Sequence, residues 1–174
     1  MRLIGCGSFG EVQEARWRGI SVAVKKMHRN RISDANLESF TRAAQLELSL
    51  RPHPNVVRLL GLAWSIQEAS VMLVMELCDD SLAKALTAAS MKWATQKMRL
   101  LRDLALGVEF LHAQGVIHRD IKPGNVLVDA TRSSAKVADF GLSRFEVHDR
   151  TMTGEVGTLL FAAPEVLSVA RYVT

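Results

Sequence analysis

Two short strings in this chain concentrate charged and amide side chains more densely than a packed core needs. In Val116-Ile117-His118-Arg119-Asp120-Ile121-Lys122-Pro123-Gly124-Asn125, acidic, basic and amide groups crowd one short loop. Further on, Asp139-Phe140-Gly141 adds a second carboxylate. Near the N-terminus Gly5, Gly7 and Gly10 form a G-x-G-x-x-G, and Lys25 closes the alternating segment Val22-Ala23-Val24-Lys25. Glycines allow backbone amides to approach phosphate oxygens closely, so the chemistry suggested is phosphate handling. Each signal alone is weak. Glycine turns serve many hairpins, a strand lysine is commonly an edge or surface residue, and each triplet can arise by chance. A dinucleotide-binding fold would place a helix after the glycines and an acidic residue about 20 positions on. Here a strand-like segment follows, and position 30 is Asn30.

The elements that must position these groups are legible from periodicity. Leu3-Ile4, Glu11 to Trp17 and Val22 to Lys25 read as strands, with Arg18-Gly19 as a hairpin tip. Ser33-Asp34 opens a helix to about Leu50, and Pro52 and Pro54 stop it. Val56 to Leu62 and Val71 to Leu77 are further strands, the second a continuous apolar run of the kind found in buried strands. Beyond Cys78 the pattern changes: Met98, Leu101, Ala105, Val108 and Leu111 recur at helical spacing, predicting a long amphipathic helix ended by Gly115. Val126 to Val128 and Lys136 to Ala138 are short strands. The first 77 residues thus form a small sheet with one helix, and the charged loop and second carboxylate belong to the remainder.

At 174 residues, with 48% hydrophobic and 23% charged side chains, the composition is that of a globular protein and excludes disordered, collagenous and membrane classes. Net charge is only +4 and no run of five like charges occurs, so nucleic acid is not an expected partner. The longest apolar stretch, Val71 to Met75, is too short to cross a bilayer, and no signal-peptide core follows Met1. A soluble, cytoplasmic protein is expected. Cys6 and Cys78 form neither a disulfide framework nor a metal knuckle.

Taken jointly and in this order, with Ala163-Pro164-Glu165 behind them, the strings resemble the eukaryotic protein kinases from Leu3 to the end of the chain. The resemblance implies an α+β, protein-kinase-like bilobal fold. A small antiparallel β-sheet N-lobe with one helix would span 1–77, and an incomplete, mainly helical C-lobe 78–174. It implies ATP and Mg2+ as cofactors and a protein substrate with a Ser or Thr acceptor. By the same resemblance Gly5, Gly7 and Gly10 lie over the ATP phosphates, Lys25 holds the α- and β-phosphates, Asp120 is the catalytic base, and Asn125 and Asp139 are metal ligands. Ile4, Val12 and Ala23 would cover the adenine, Met75 would stand behind it, and Glu76 to Cys78 would contact it, although Val12 and Ala23 suit a plain core equally well. These roles fit the physics: a polyanionic transferring group needs hard oxygen ligands for metal, a cation and amides on its phosphates, and a positioned acceptor oxygen.

Lys122, two positions past the base, and Gly157-Thr158 resemble serine/threonine rather than tyrosine kinases. His53-Pro54-Asn55-Val56-Val57-Arg58-Leu59-Leu60-Gly61 is most like the tyrosine-kinase-like group. Arg119 directly before Asp120 resembles kinases switched on by an upstream activating kinase, with Thr151, Thr153 and Thr158 in the segment concerned. Two departures stand out. The position of the family's helix glutamate, which pairs with the strand lysine, is Ala43, leaving Glu47 or Glu38 to substitute. The chain also ends nine residues after Glu165, before further helices of the family, so Leu104, Leu111, Val166 and Leu167 are expected to lack part of their cover. Those departures open two alternatives, a weak or inactive nucleotide-binding scaffold and a piece that does not fold alone.

Overall fold

The computed structural model describes residues 2–6, 10–27, 34–65, 70–87, 95–139, 144–145 and 159–164. Contacts divide the chain into two units, one of residues 1–52 and 57–78, the other of 53–56 and 79–174.

The first unit is an antiparallel sheet of β1 (Arg2–Cys6), β2 (Gly10–Trp17), β3 (Ile20–Met27), β4 (Leu59–Ser65) and β5 (Ser70–Glu76), in the order β1-β2-β3-β5-β4. Arg18 and Gly19, both at positive φ (50° and 84°), turn the chain tightly between β2 and β3. Helix α1 (Asp34–Ser49) follows β3 and packs Ala44 against Leu59 and Leu73, with Val71 and Met75 around them. The apolar run at 71–75 lies in the inner strand β5, flanked by β3 and β4, where Leu73 is buried and its apolar neighbours are half-buried.

One expected strand divides. Val56 lies outside β4 and bridges instead to Val137, while the N–H of Val137 donates to the Asn55 carbonyl at 2.8 Å. Residues 53–56 therefore belong to the second unit, and β4 begins at Leu59. Both stretches are apolar, so local pattern could not separate them.

The second unit contains β6 (Asp80–Ser81), α2 (Leu82–Thr87), α3 (Thr95–Ala113), β7 (Val116–Ile117), β8 (Val126–Val128), β9 (Ala135–Val137) and β10 (Arg144–Phe145). Strands β6, β8 and β9 form one small antiparallel sheet, and β7 pairs with β10. Ala85, Leu100, Val126, Val128 and Ala135 make its core, with Leu82 and Leu104 packed on it. Gly115, at φ 69°, takes the left-handed turn after α3 and donates to the His112 carbonyl at 2.9 Å.

The buried face of α3 differs from the expected one. Leu100, Asp103, Gly107 and Leu111 are buried, whereas Met98 and Leu101 are 65% and 54% exposed. Both faces are apolar enough to satisfy periodicity; what selects between them is contact. A Cβ on Gly107 would stand 2.5 Å from the Asn55 carbonyl oxygen, so only glycine lets the helix lie that close. Leu111, expected to be short of cover, is wholly buried, while Val166 and Leu167 lie outside the described residues.

Candidate functional site

In the second unit the loop after β7 gathers Asp120, Lys122 and Asn125 around one carboxylate oxygen. The Lys122 ammonium donates to Asp120 Oδ2 at 2.7 Å, and Asn125 Nδ2 donates to the same oxygen at 2.8 Å and to the Asp120 carbonyl at 2.9 Å. A charge-assisted bond and an amide bond thus fix the plane of the Asp120 carboxylate. Asn125 commits its Nδ2 end to Asp120, which leaves Oδ1 as the end suited to a cation. Local sequence explains the geometry: Pro123-Gly124-Asn125 forms one 3-10 turn with proline at its start, closed by Asn125 N–H to the Lys122 carbonyl at 2.9 Å. Short i to i+2 and i to i+5 reaches then bring three polar tips together.

His118, only 2% exposed, ties this loop to the second carboxylate. Its Nε2 bonds the Ala138 carbonyl at 2.9 Å, and its Nδ1 accepts from the Asp120 N–H at 3.3 Å. A carbonyl at one nitrogen and an N–H at the other define the neutral, Nε2-protonated tautomer. Burial pushes the His118 pKa below its ordinary 6.5; the Ala138 bond and the Asp139 and Asp120 carboxylates act the other way, more weakly. Ala138 also donates its N–H to the Asn125 carbonyl at 2.8 Å. Asp139 follows directly, exposed and at a left-handed φ of 66°, and Arg119 beside Asp120 has φ 69°. Two non-glycine residues in this sparsely populated region mark a backbone that its neighbours hold in place.

The sequence signals single out Asp120, Lys122, Asn125 and Asp139 but not His118, Asn55 or Asp103. A histidine between an apolar strand and Arg-Asp was the available sign for the first. For Asp103 the sign was a carboxylate on an otherwise apolar stripe.

In the first unit Lys25 lies half-buried on β3, an inner strand between β2 and β5, which excludes the edge-lysine reading. Val12 and Leu73 are its cross-strand neighbours; Ala23 stands opposite Met75 and Glu14. Since directly paired residues share a face, Val12, Ala23, Lys25 and Met75 occupy one side of the sheet. Ile4 and Gly5 lie on β1, with Gly5 opposite Val12, and Gly10 begins β2. The N–H of Glu76 donates to the Arg58 carbonyl at 3.0 Å, and its carboxylate accepts from Arg58 N–H at 2.7 Å, so that backbone donor is committed within the unit. Cys78 follows, half-buried. Gly7, Thr151, Thr153 and Thr158 lie outside the described residues.

Among the described residues no three His, Cys, Asp or Glu side chains cluster as a metal site, and no helix is long and apolar enough to cross a membrane.

The protein kinase domain profile matches residues 1–174. A Dictyostelium discoideum protein named as the serine/threonine-protein kinase drkB is 39% identical over 180 residues, covering 97% of this chain and 24% of that one. The Arabidopsis thaliana serine/threonine-protein kinase VIK is 39% identical over 181 residues, covering 98% and 40%. A protein of Acanthamoeba polyphaga mimivirus, named as a serine/threonine-protein kinase/receptor, is 36% identical over 173 residues, covering 97% and 10%. The chain thus spans between a tenth and two fifths of the lengths of these relatives.

Proposed function

Because the chain belongs to the protein kinase domain family, we propose that it is the catalytic part of a serine/threonine protein kinase, transferring the γ-phosphoryl group of Mg-ATP to protein hydroxyls. The observation that carries this reading is the Asp120 carboxylate, held at Oδ2 by Lys122 and Asn125, two residues after His118, which bonds the Ala138 carbonyl just before Asp139. In the proposed step the acceptor oxygen bonds to the γ-phosphorus, the bond to the bridging β,γ-oxygen breaks, and ADP departs with that electron pair. Asp120 accepts the hydroxyl proton. Lys122, bonded to the base, is placed to steady its charge and that of the transferring group.

The donor set suits a hard divalent cation. Mg2+ typically takes one or two protein oxygens and fills its remaining positions with water and substrate phosphates, and Asp139 with Asn125 Oδ1 supplies such a pair. When bound, the metal neutralises charge building on the phosphates. Gly5 supports phosphate contact in the same way: a Cβ there would meet Val12 Cβ at an ordinary 3.8 Å, so nothing among the described residues demands glycine. We assign its bareness to an outside group, the nucleotide phosphates, together with Gly7 and Gly10, and the phosphate cation to Lys25. Ile4, Val12, Ala23, Met75 and the stretch Glu76 to Cys78 are assigned to the adenine.

Three finer assignments rest on motif wording. His53 to Gly61 supports the tyrosine-kinase-like group, Arg119 supports activation by phosphorylation at Thr151 or Thr153 by an upstream kinase, and the absence of any signal-peptide or bilayer-length apolar wording in these residues supports a cytoplasmic location. The test of the central reading is Asp120→Asn, which keeps shape and removes the base. Phosphotransfer to a Ser/Thr protein substrate should fall about 10²- to 10⁴-fold while Mg-ATP affinity stays within a factor of about two. Undiminished turnover would refute the assignment.

A further inference from the structure

We propose that Asp103 and Asn55, neither of them near the reacting atoms in sequence, are positioning residues for Asp139 and act on it through β9. The proposal rests on Asp139 being a metal ligand.

Asp103 is an anomaly of α3: a carboxylate 7% exposed on the helix's buried face, where an apolar side chain would pack without a desolvation cost. Its Oδ2 accepts the N–H of Ala135 at 3.1 Å, and its Oδ1 lies 3.7 Å from Arg102 Nη2. Asn55, equally buried, takes the other half of the same residue, donating from Nδ2 to the Ala135 carbonyl at 3.0 Å. Its own carbonyl accepts from Val137 at 2.8 Å. These groups of Ala135 and Val137 therefore do not serve the ladder with β8; the Asp103 and Asn55 side chains hold the two of Ala135, and the Asn55 backbone carbonyl holds the N–H of Val137. The absence of a side chain at Gly107 keeps α3 against Asn55, so helix, segment and strand form one contact.

What this holds still is a short rail. Ala138, next along, has its N–H on Asn125 and its carbonyl on His118, and Asp139 follows at φ 66°. A residue in that narrow backbone region cannot absorb a shift of the strand by small rotations, so displacement of β9 moves the Asp139 carboxylate. Outer partners of metal ligands commonly set metal affinity in this way.

The experiment measures Mn2+ binding in the presence of ADP by the electron paramagnetic resonance of the unbound ion, and ADP binding without metal by calorimetry. Asp103→Ala and Asn55→Ala should each weaken Mn2+ binding about tenfold and leave metal-free ADP affinity unchanged. Asp103→Asn retains a carbonyl oxygen for Ala135 and should bind Mn2+ as the parent does. If Asp139→Ala loses Mn2+ while the Asp103 and Asn55 variants hold it with parent affinity, the positioning role is overturned. If Asp139→Ala also binds normally, the ligand assignment itself falls, a distinguishable result. Should the alanine variants not fold, amide exchange on the parent decides: Ala135 and Val137 should be as protected as Ala138, and rapid local exchange at either overturns the proposal.

Discussion

The sequence departs from its family's pattern at Ala43, the helix position expected to carry the carboxylate partner of Lys25. The register places Leu73 beside Lys25, and Ala44 of α1 packs on Leu73. Glu47, half-buried, stands one helical turn beyond Ala44 and on the same side of α1. It is the α1 carboxylate we assign to positioning Lys25. With Lys25 proposed as the phosphate cation, its misplacement by an ångström would cost about a hundredfold, so Glu47→Ala should lower kcat/KM by about that factor. Steady-state phosphotransfer kinetics check this, with Glu47→Gln expected to fall between. Parent activity in Glu47→Ala would remove Glu47 from the site.

Helix α3 shows what periodicity can and cannot say. Its existence, its length and its end at Gly115 follow from spacing and from a glycine able to adopt positive φ. Its orientation does not, since apolar residues occupy more than one face and the buried one contains Asp103 and Gly107. Contact with residue 55 chooses it. Gly107→Ala tests that choice. On an unobstructed helix the substitution would gain up to about 1 kcal/mol in propensity. Here the added carbon meets a backbone oxygen at 2.5 Å, which cannot rotate away. The expected result is a net loss of about 1–3 kcal/mol in urea unfolding, as for other overpacked positions. Stabilisation instead would mean the helix can move off residue 55 at little cost.

For the whole molecule, the buried neutral imidazole of His118 couples stability to pH. Its folded-state pKa lies below the ordinary 6.5, so on acidification the unfolded chain takes up this proton first. Its contribution is complete well above 6.5 and is lost as pH falls from about 6.5 toward the folded value. The melting midpoint should therefore drop between about pH 7.5 and 5.5 more steeply in the parent than in His118→Phe. The variant should also be less stable at pH 7.5 by about 1–3 kcal/mol, because the Ala138 carbonyl loses its donor. Equal slopes in parent and variant would show that another group carries the pH response.

The family, the strand and helix inventory of the first unit, and the polar residues at 120, 122, 125 and 139 were determined by the sequence alone. Each depends on chemistry or spacing that is local: glycines before a strand, a proline-led turn, alternating or helical apolar positions. Tertiary structure alone decided that residues 53–56 join the second unit, that His118 is a neutral tether, and that Asp103 and Asn55 close the edge of β9. Those outcomes turn on hydrogen bonds to backbone groups of residues as far as 80 and more positions away, and a one-dimensional pattern does not record which distant carbonyl or amide needs a partner.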